Sequence, residues 1–205
     1  LTRWAAYPTL LRKRRTISKR LKNDLIISLD CTPFATVLLG YTGGMRFMEE
    51  APLAGKRVLL RVVADVPIQR KKSGVVVTDD YRLRQLLPTL HYLIDYGARI
   101  VLASHLGRPG GLTDRDFSLR PVWLELSRLL RRPIQFAPTI GTDATATIAG
   151  SLGSGEILAL ENLRFYPGEE KNSRTFAATL ARYADLYIND AFAVCHHPAA
   201  SIDAI

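Results

Sequence analysis

The stretch Arg99-Ile-Val-Leu-Ala-Ser-His-Leu-Gly-Arg-Pro109 decides how this chain folds. Its first five residues form an apolar run that predicts a buried strand at 99–103. The strand stops at Ser104-His105, and the chain then turns through Gly-Arg-Pro at 107–109, because glycine and proline favour turns. A histidine and an arginine therefore follow the carboxyl end of a strand, which is where open α/β sheets bind their ligands.

Strand and helix patterns alternate along the chain on both sides of this stretch. The apolar runs predict strands at 57–63, 99–103, 133–136, 156–161 and 185–189. Apolar residues at helical spacing predict helices at 78–97, 119–130, 142–152 and 173–184, and residues 66–77 predict a loop or a hairpin. Such alternation is typical of right-handed βαβ units. The predicted fold class is α/β, with a parallel sheet covered by helices on both faces.

The loops that follow the strands can be considered together, because parallel strands all end at the same edge of a sheet. Basic side chains lie in these loops and at the start of the first helix, namely Arg82, His105, Arg108, Arg164, His196 and His197. Each guanidinium offers a planar fork of donors that suits a phosphate or a carboxylate. An ordinary surface ion pair is the alternative for any single arginine. The set as a whole predicts an anion-binding crevice.

The positive charge of the chain is concentrated at its start. Residues 1–24 contain eight lysines and arginines against the single acid Asp24, so they carry +7 of the net charge of +9. Three interpretations stay open for this segment: part of an organellar targeting sequence, a basic arm for nucleic acid or an acidic partner, or an inert solvated tail. We expect the first domain boundary near residue 50, with 1–50 forming a basic extension.

Composition places the chain among globular proteins, with 47% hydrophobic and 23% charged residues. The longest apolar window, 25–41, is interrupted by Asp30, so no transmembrane helix is expected and contact with a membrane surface is an alternative. Cys31 and Cys195 match no metal-binding or redox spacing, which favours free thiols in a reducing compartment.

Five segments resemble phosphoglycerate kinase in their sequence, order and spacing. They are Gly55-Lys-Arg-Val-Leu-Leu-Arg-Val, Asp79-Asp-Tyr-Arg-Leu-Arg-Gln-Leu-Leu-Pro-Thr, Ala103-Ser-His-Leu-Gly-Arg-Pro, Leu160-Glu-Asn-Leu-Arg-Phe-Tyr-Pro-Gly-Glu-Glu and Tyr187-Ile-Asn-Asp-Ala-Phe. The resemblance covers about 48–205 and concerns the N-terminal domain of that family, which binds 3-phosphoglycerate. It implies a Rossmann-like three-layer domain at 51–205.

The resemblance also implies roles for matching residues. Arg82 corresponds to the family's arginine that stabilises the transferring phosphoryl group, whose charge is spread over equatorial oxygens. His105, Arg108, Arg164 and His196 correspond to substrate-binding residues. The family binds Mg-ATP on a C-terminal domain that these residues do not include, and the sequence has no P-loop and no G-x-G-x-x-G. No cofactor, nucleotide site or metal site is therefore predicted in this chain.

Four positions depart from the family pattern at the expected substrate site. The family's aspartate and asparagine after the first strand are Val63 and Asp65 here, and an arginine and a histidine after the last strand are His197 and Ala199. Losing one charged hydrogen-bond partner of a small ligand costs about 1.5–3 kcal/mol. Weakened substrate binding is the expected result.

Three functional hypotheses follow. The first is a non-catalytic domain that serves as a structural or accessory subunit of a larger organellar assembly, with protein partners bound through 1–50 and a mitochondrial location. The second is the N-terminal part of an active phosphoglycerate kinase, with no activity expected from this part alone. The third is a module that binds nucleic acid, such as ribosomal RNA, through 1–24. A plastid or a cytoplasmic location is the alternative to the mitochondrion.

Overall fold

The computed structural model describes residues 25–28, 36–39, 45–71 and 74–205. The basic segment 1–24 and Cys31 lie outside these residues. The partners predicted for the basic segment therefore stay predictions. No helix in the described part of the chain is long and apolar enough to cross a membrane.

Eight strands among the described residues form one sheet. They are β1 (Leu25–Ser28), β2 (Thr36–Leu39), β3 (Met45–Arg46), β4 (Arg57–Val62), β7 (Arg99–Ala103), β8 (Gln135–Ala137), β9 (Ile157–Leu160) and β10 (Leu186–Asp190). Their order across the sheet is β3-β2-β1-β10-β4-β7-β9-β8. The five strands β10, β4, β7, β9 and β8 are parallel, as the sequence predicts. β1 pairs with β10 in parallel. The other neighbour of β1 is β2, and both the β1–β2 pair and the β2–β3 pair are antiparallel.

Two strands outside this sheet lie within the range where a loop or a hairpin is predicted. They are β5 (Ile68–Lys71) and β6 (Gly74–Val77), and they pair antiparallel as in a hairpin. β6 packs against the helix that starts at Arg120. The hairpin therefore lies on one face of the domain, next to the loop that leaves β4.

The helices in the described residues are α1 (Tyr81–Asp95), α2 (Arg120–Leu130), α3 (Asp143–Ser151), α4 (Pro167–Glu170) and α5 (Arg174–Ala181). Four of these five begin and end near the predicted positions, and the short α4 was not predicted. Hydroxyl caps mark two of the starts: the Thr142 side chain accepts a hydrogen bond from Thr145 N at 3.2 Å, and the Ser173 side chain accepts one from Phe176 N at 3.4 Å. Both hydroxyls satisfy amide groups that have no partner within the helix.

Helices cover both faces of the sheet, which confirms the predicted three-layer arrangement. Successive strand residues point to opposite faces, so Val58 and Leu60 of β4 pack with Leu90 of α1 and Trp123 of α2. Leu59, between them, belongs to the second core, which contains residues of α3 and α5. The five parallel strands are thus buried between two helical layers, and only their ends are open to a ligand.

Candidate functional site

The carboxyl ends of β4 and β7 are joined by the side chain of Ser104. Its hydroxyl donates to Val62 O at 2.8 Å and accepts from Ala64 N at 2.9 Å. The chain leaving β7 is thereby fixed beside the chain leaving β4. His105, the next residue, is only 5% exposed and is held at this edge of the sheet.

Asn162 ties the loop after β9 to the loop after β7. Its amide nitrogen donates to Leu106 O at 2.8 Å and to Phe117 O at 2.9 Å, and its oxygen accepts from Leu106 N at 3.3 Å and from Arg164 N at 3.0 Å. Asn162 is fully buried. This one side chain therefore determines where the backbone of Arg164 lies relative to the loop that carries His105.

The turn after His105 passes through Gly107, whose backbone φ is 59°. A Cβ added here would overlap the ring of Phe117, so both the backbone conformation and the space require glycine. The Gly107 amide donates to Asp65 Oδ1 at 3.1 Å, and the Gly107 carbonyl accepts from Arg164 Nη1 at 2.7 Å. The turn thus links an acid after β4 to an arginine after β9.

Arg61 is a buried cation inside β4, 2% exposed. It donates from Nε to Ser201 Oγ at 2.9 Å, from Nη1 to Val62 O at 2.5 Å and from Nη2 to His105 Nδ1 at 2.8 Å. Ser201 Oγ in turn donates to Glu169 Oε1 at 2.5 Å, and Ser201 N donates to Glu169 Oε2 at 3.0 Å. A buried acid therefore balances the buried guanidinium through one hydroxyl.

These groups surround a cavity of about 10 Å³ at the carboxyl edge of the sheet, which is room for about one water molecule. Its lining includes Arg61, His105, Arg164, Glu169, His197 and Ala199. An open cleft of about 370 Å³ lies nearby and is lined by Asp65, Val66, Pro67, Asp79, Tyr81 and Arg82. Arg82 donates a hydrogen bond to the carbonyl of Asp65.

The electrostatic environment of the cavity favours a neutral histidine. Burial, together with the positive charges of Arg61 and Arg164, lowers the pKa of His105 to about 3 from an ordinary value of 6.5. Burial also lowers the pKa of Arg61, while the charge of Glu169 opposes that effect. An arginine stays protonated in proteins, so the cavity carries guanidinium charges and a neutral imidazole.

We expect His105 to weaken the fold in acid. Between pH 6.5 and about pH 3 the unfolded chain binds a proton on this ring that the folded chain does not, so the free energy of unfolding falls as the pH decreases. His105→Gln removes the titrating ring and should reduce this loss. Urea unfolding at about pH 7 and about pH 4.5 measures it, with the exposed His91→Gln as the control. An unchanged pH dependence in His105→Gln would contradict the expectation.

The structure brings some of the predicted site residues together and separates others. His105 and Arg164 line the small cavity, together with His197. Arg82 lies at the open cleft instead. Arg108 and His196 are exposed, and neither lines the cavity or the cleft.

Three residues of the cavity network received no role from the sequence: Arg61, Glu169 and Ser201. A sequence pattern could have indicated the first of them, since Arg61 is the one charged residue inside the otherwise apolar run 58–62. Charged residues are rarely buried unless they are paired, so the pattern predicts a buried partner for Arg61. Nothing comparable marks Ser201 or Glu169, because their roles depend on a partner far away in sequence.

The described residues contain no group of three or more His, Cys, Asp or Glu side chains that could hold a metal ion. The Mg-nucleotide that the family resemblance implies therefore has no fitting set of ligands in this part of the chain. We derive no step through it.

Comparison with known proteins identifies what this domain is similar to. A family model described as phosphoglycerate kinase matches residues 48–205. Phosphoglycerate kinase from Geotalea uraniireducens is 44% identical over 162 residues, which are 78% of this chain and 40% of that protein. The enzyme from Campylobacter curvus is 48% identical over 159 residues, 77% of this chain and 39% of that protein.

Solved structures give the same result. The phosphoglycerate kinase from Coxiella burnetii matches with a TM-score of 0.65 and 32% identity, covering 75% of this chain and 37% of that one. The kinase from Pyrococcus horikoshii matches with a TM-score of 0.66 and 30% identity, covering 75% and 38%. The chain thus spans about 40% of the length of the curated relatives that it matches.

Proposed function

Because this chain belongs to the phosphoglycerate kinase family, we propose that its domain binds phosphoglycerate at the carboxyl edge of the sheet, as the N-terminal, acceptor-binding part of such a kinase. The observation that supports this most is that Arg61, His105 and Arg164 line one cavity. Guanidinium groups bind phosphate and carboxylate through charged, often paired hydrogen bonds. A small ligand that carries both a phosphate and a carboxylate therefore matches the charge of this site.

The loops that carry these side chains are built to hold them in place, which also supports binding. Asn162 fixes the Arg164 backbone, and Gly107 accepts a hydrogen bond from the Arg164 side chain. Arg164 Nε lies 3.5 Å from Glu170 Oε1, and the arginine side chain is 15% exposed. A pre-positioned guanidinium loses little freedom when it binds an anion, so more of the interaction contributes to affinity.

Arg82 extends the proposal to phosphoryl transfer. It is exposed at the edge of an open cleft, where a phosphoryl donor bound on another part of a kinase could reach it. An exposed guanidinium at that place suits the spread charge of a transferring phosphoryl group.

A second candidate is the non-catalytic, accessory role. Two observations favour it. The cavity has room for about one water molecule, so binding a larger ligand requires the segment with His197 and Ala199 to move away from Arg164. In addition, Val63 and Ala199 bring no polar side chain to the site, and Asp65 brings a negative charge that repels an anion. The mitochondrial location and the protein partners of this role stay predictions.

Calorimetric titration of the protein with 3-phosphoglycerate tests both candidates. The first candidate predicts saturable binding, and Arg164→Met should weaken it by about 10- to 100-fold, the effect of losing one charged hydrogen-bond partner. Arg182→Met is the matched control, because Arg182 lies at the end of α5, pairs with Asp143 and has a side chain that is 56% exposed. The control should bind as tightly as the unaltered protein.

The absence of binding by a protein that shows a cooperative unfolding transition would exclude the first candidate and favour the accessory role. Equal losses in Arg164→Met and Arg182→Met would also contradict the proposed site, because they would indicate non-specific attraction of the anion to positive charge.

A further inference from the structure

The hydrogen bonds of Arg61 impose a proton arrangement on His105. Arg61 Nη2 lies 2.8 Å from His105 Nδ1, and a guanidinium has five donors and no acceptor. Nδ1 must therefore accept, so it cannot carry a proton. The ring is then neutral, with its one N–H proton on Nε2.

Arg61 cannot easily turn away from this contact. Two of its other donors are occupied by Ser201 Oγ and by Val62 O, and Ser201 is itself held by both carboxylate oxygens of Glu169. The guanidinium plane is fixed at three points in a buried place. A fixed donor facing Nδ1 gives one tautomer a lasting advantage over the other.

The Nε2 atom has no protein partner among the described residues, and it is not among the buried atoms left without a hydrogen bond. His105 lines the small cavity. The Nε2–H group is therefore accessible from the cavity and available to an acceptor atom of a ligand.

We infer that Arg61 is a positioning residue, which holds His105 as the neutral Nε2–H tautomer so that the site offers a ligand oxygen an uncharged N–H donor beside the guanidinium of Arg164. This inference rests on the proposed function for the identity of the ligand. In this state His105 acts differently from an imidazolium: its N–H group orients the ligand through a hydrogen bond, and the ring adds no net charge to the site.

The basic groups around His105 oppose a second proton on the ring. Arg61 approaches from β4, Arg164 from the loop after β9, His197 from the loop after β10 and Arg82 from α1, and each disfavours the imidazolium. The acid Glu169 also lines the cavity, but its carboxylate is engaged by the amide and the hydroxyl of Ser201. The neutral state thus follows from the geometry of several elements and not from one contact.

Two-bond ¹H–¹⁵N NMR correlation spectra of the ¹⁵N-histidine-labelled protein without ligand test the inference directly. Such spectra distinguish a protonated ring nitrogen from an unprotonated one. We expect the His105 Nδ1 resonance at the position of an unprotonated nitrogen and Nε2 at that of a protonated one, unchanged from about pH 8 to about pH 5. His105→Gln identifies the resonances, and the signals of His91, His196 and His197 are internal references.

The double variant Arg61→Met/Glu169→Gln tests the part of Arg61 without leaving a buried charge unbalanced. In the folded variant, a substantial fraction of His105 should carry its proton on Nδ1. An imidazolium or an Nδ1–H ring in the unaltered protein would overturn the inference, as would an unchanged tautomer in the double variant. If the double variant does not fold, an imidazolium or an Nδ1–H ring in the unaltered protein still overturns the inference.

Ligand titrations extend the test to binding. A glutamine at 105 can accept from Arg61 and donate to a ligand, whereas a leucine can do neither. His105→Gln should therefore keep most of the affinity for 3-phosphoglycerate, and His105→Leu should lose about tenfold or more. Equal losses in both variants would overturn the donor role. The spectra are recorded without ligand, so a failure of the proposed function leaves their outcome unaffected.

Discussion

Glu169→Ala is expected to lower the free energy of unfolding by about 3–5 kcal/mol, the loss typical of removing one partner of a buried charge pair. The carboxylate is 2% exposed, and it accepts from both the amide and the hydroxyl of Ser201. Without it, Arg61 keeps its charge in a buried place and loses the carboxylate that balances it through Ser201. The Ser201 amide also loses its acceptor.

The neighbouring acid offers a matched control. Glu170 follows Glu169 in the same short helix, but its side chain is 38% exposed and its contact with Arg164 is long, at 3.5 Å. Glu170→Ala should change the free energy of unfolding by about 1 kcal/mol or less, as is usual for exposed ion pairs. Urea denaturation followed by circular dichroism measures both variants. Similar losses at 169 and 170 would show that the buried network adds little stability.

Asn162→Ala is expected to cost about 3 kcal/mol, because it leaves several buried backbone groups without a partner at once. The amides of Leu106 and Arg164 lose an acceptor, and the carbonyls of Leu106 and Phe117 lose a donor. The same change should loosen the loops that carry His105 and Arg164. We therefore expect weaker binding of 3-phosphoglycerate as well as lower stability.

Gln85→Ala provides the control for removing an amide side chain. Gln85 is exposed on α1, and alanine favours helices, so its free energy of unfolding should change by about 0.5 kcal/mol or less. Thermal and urea unfolding of the two variants measures the loss of stability, and a titration of each with 3-phosphoglycerate measures the loss of binding. A stable Asn162→Ala protein with normal binding would mean that other contacts hold these loops.

Most strands and helices of 51–205 could be predicted because each is a local pattern, whereas the four-residue helix α4 is too short to show one. The run 57–63 contains β-branched and leucine residues in sequence, and β4 covers 57–62. The strand predicted at 133–136 starts two residues too early, since β8 covers 135–137. The reason is that Pro133 has no N–H to donate to a sheet. Local patterns thus identify an element well and its first residue less well.

The chemistry of the site could be predicted only in part, because proximity across the sheet is not visible in a local pattern. The loops after the strands identified His105 and Arg164 as neighbours. The link from Arg61 to Ser201 joins residues 140 positions apart, and no spacing in the sequence indicates it. The same holds for the tautomer of His105, which depends on the donor that happens to face Nδ1.

The position of β4 in the sheet has a consequence for how the chain folds. β4 lies between β7 and β10, and Arg57 at its start pairs with Asp185 across 128 residues, at 2.7 Å between Nη2 and Oδ1. Closing a loop of that length costs about 4 kcal/mol of chain entropy, and this cost comes before the contacts between β4 and β10 can stabilise the fold. We expect folding to be slow for a domain of this size, with one edge of β4 unpaired until β10 arrives. The residues that complete the cavity, which follow β10, then take their places last.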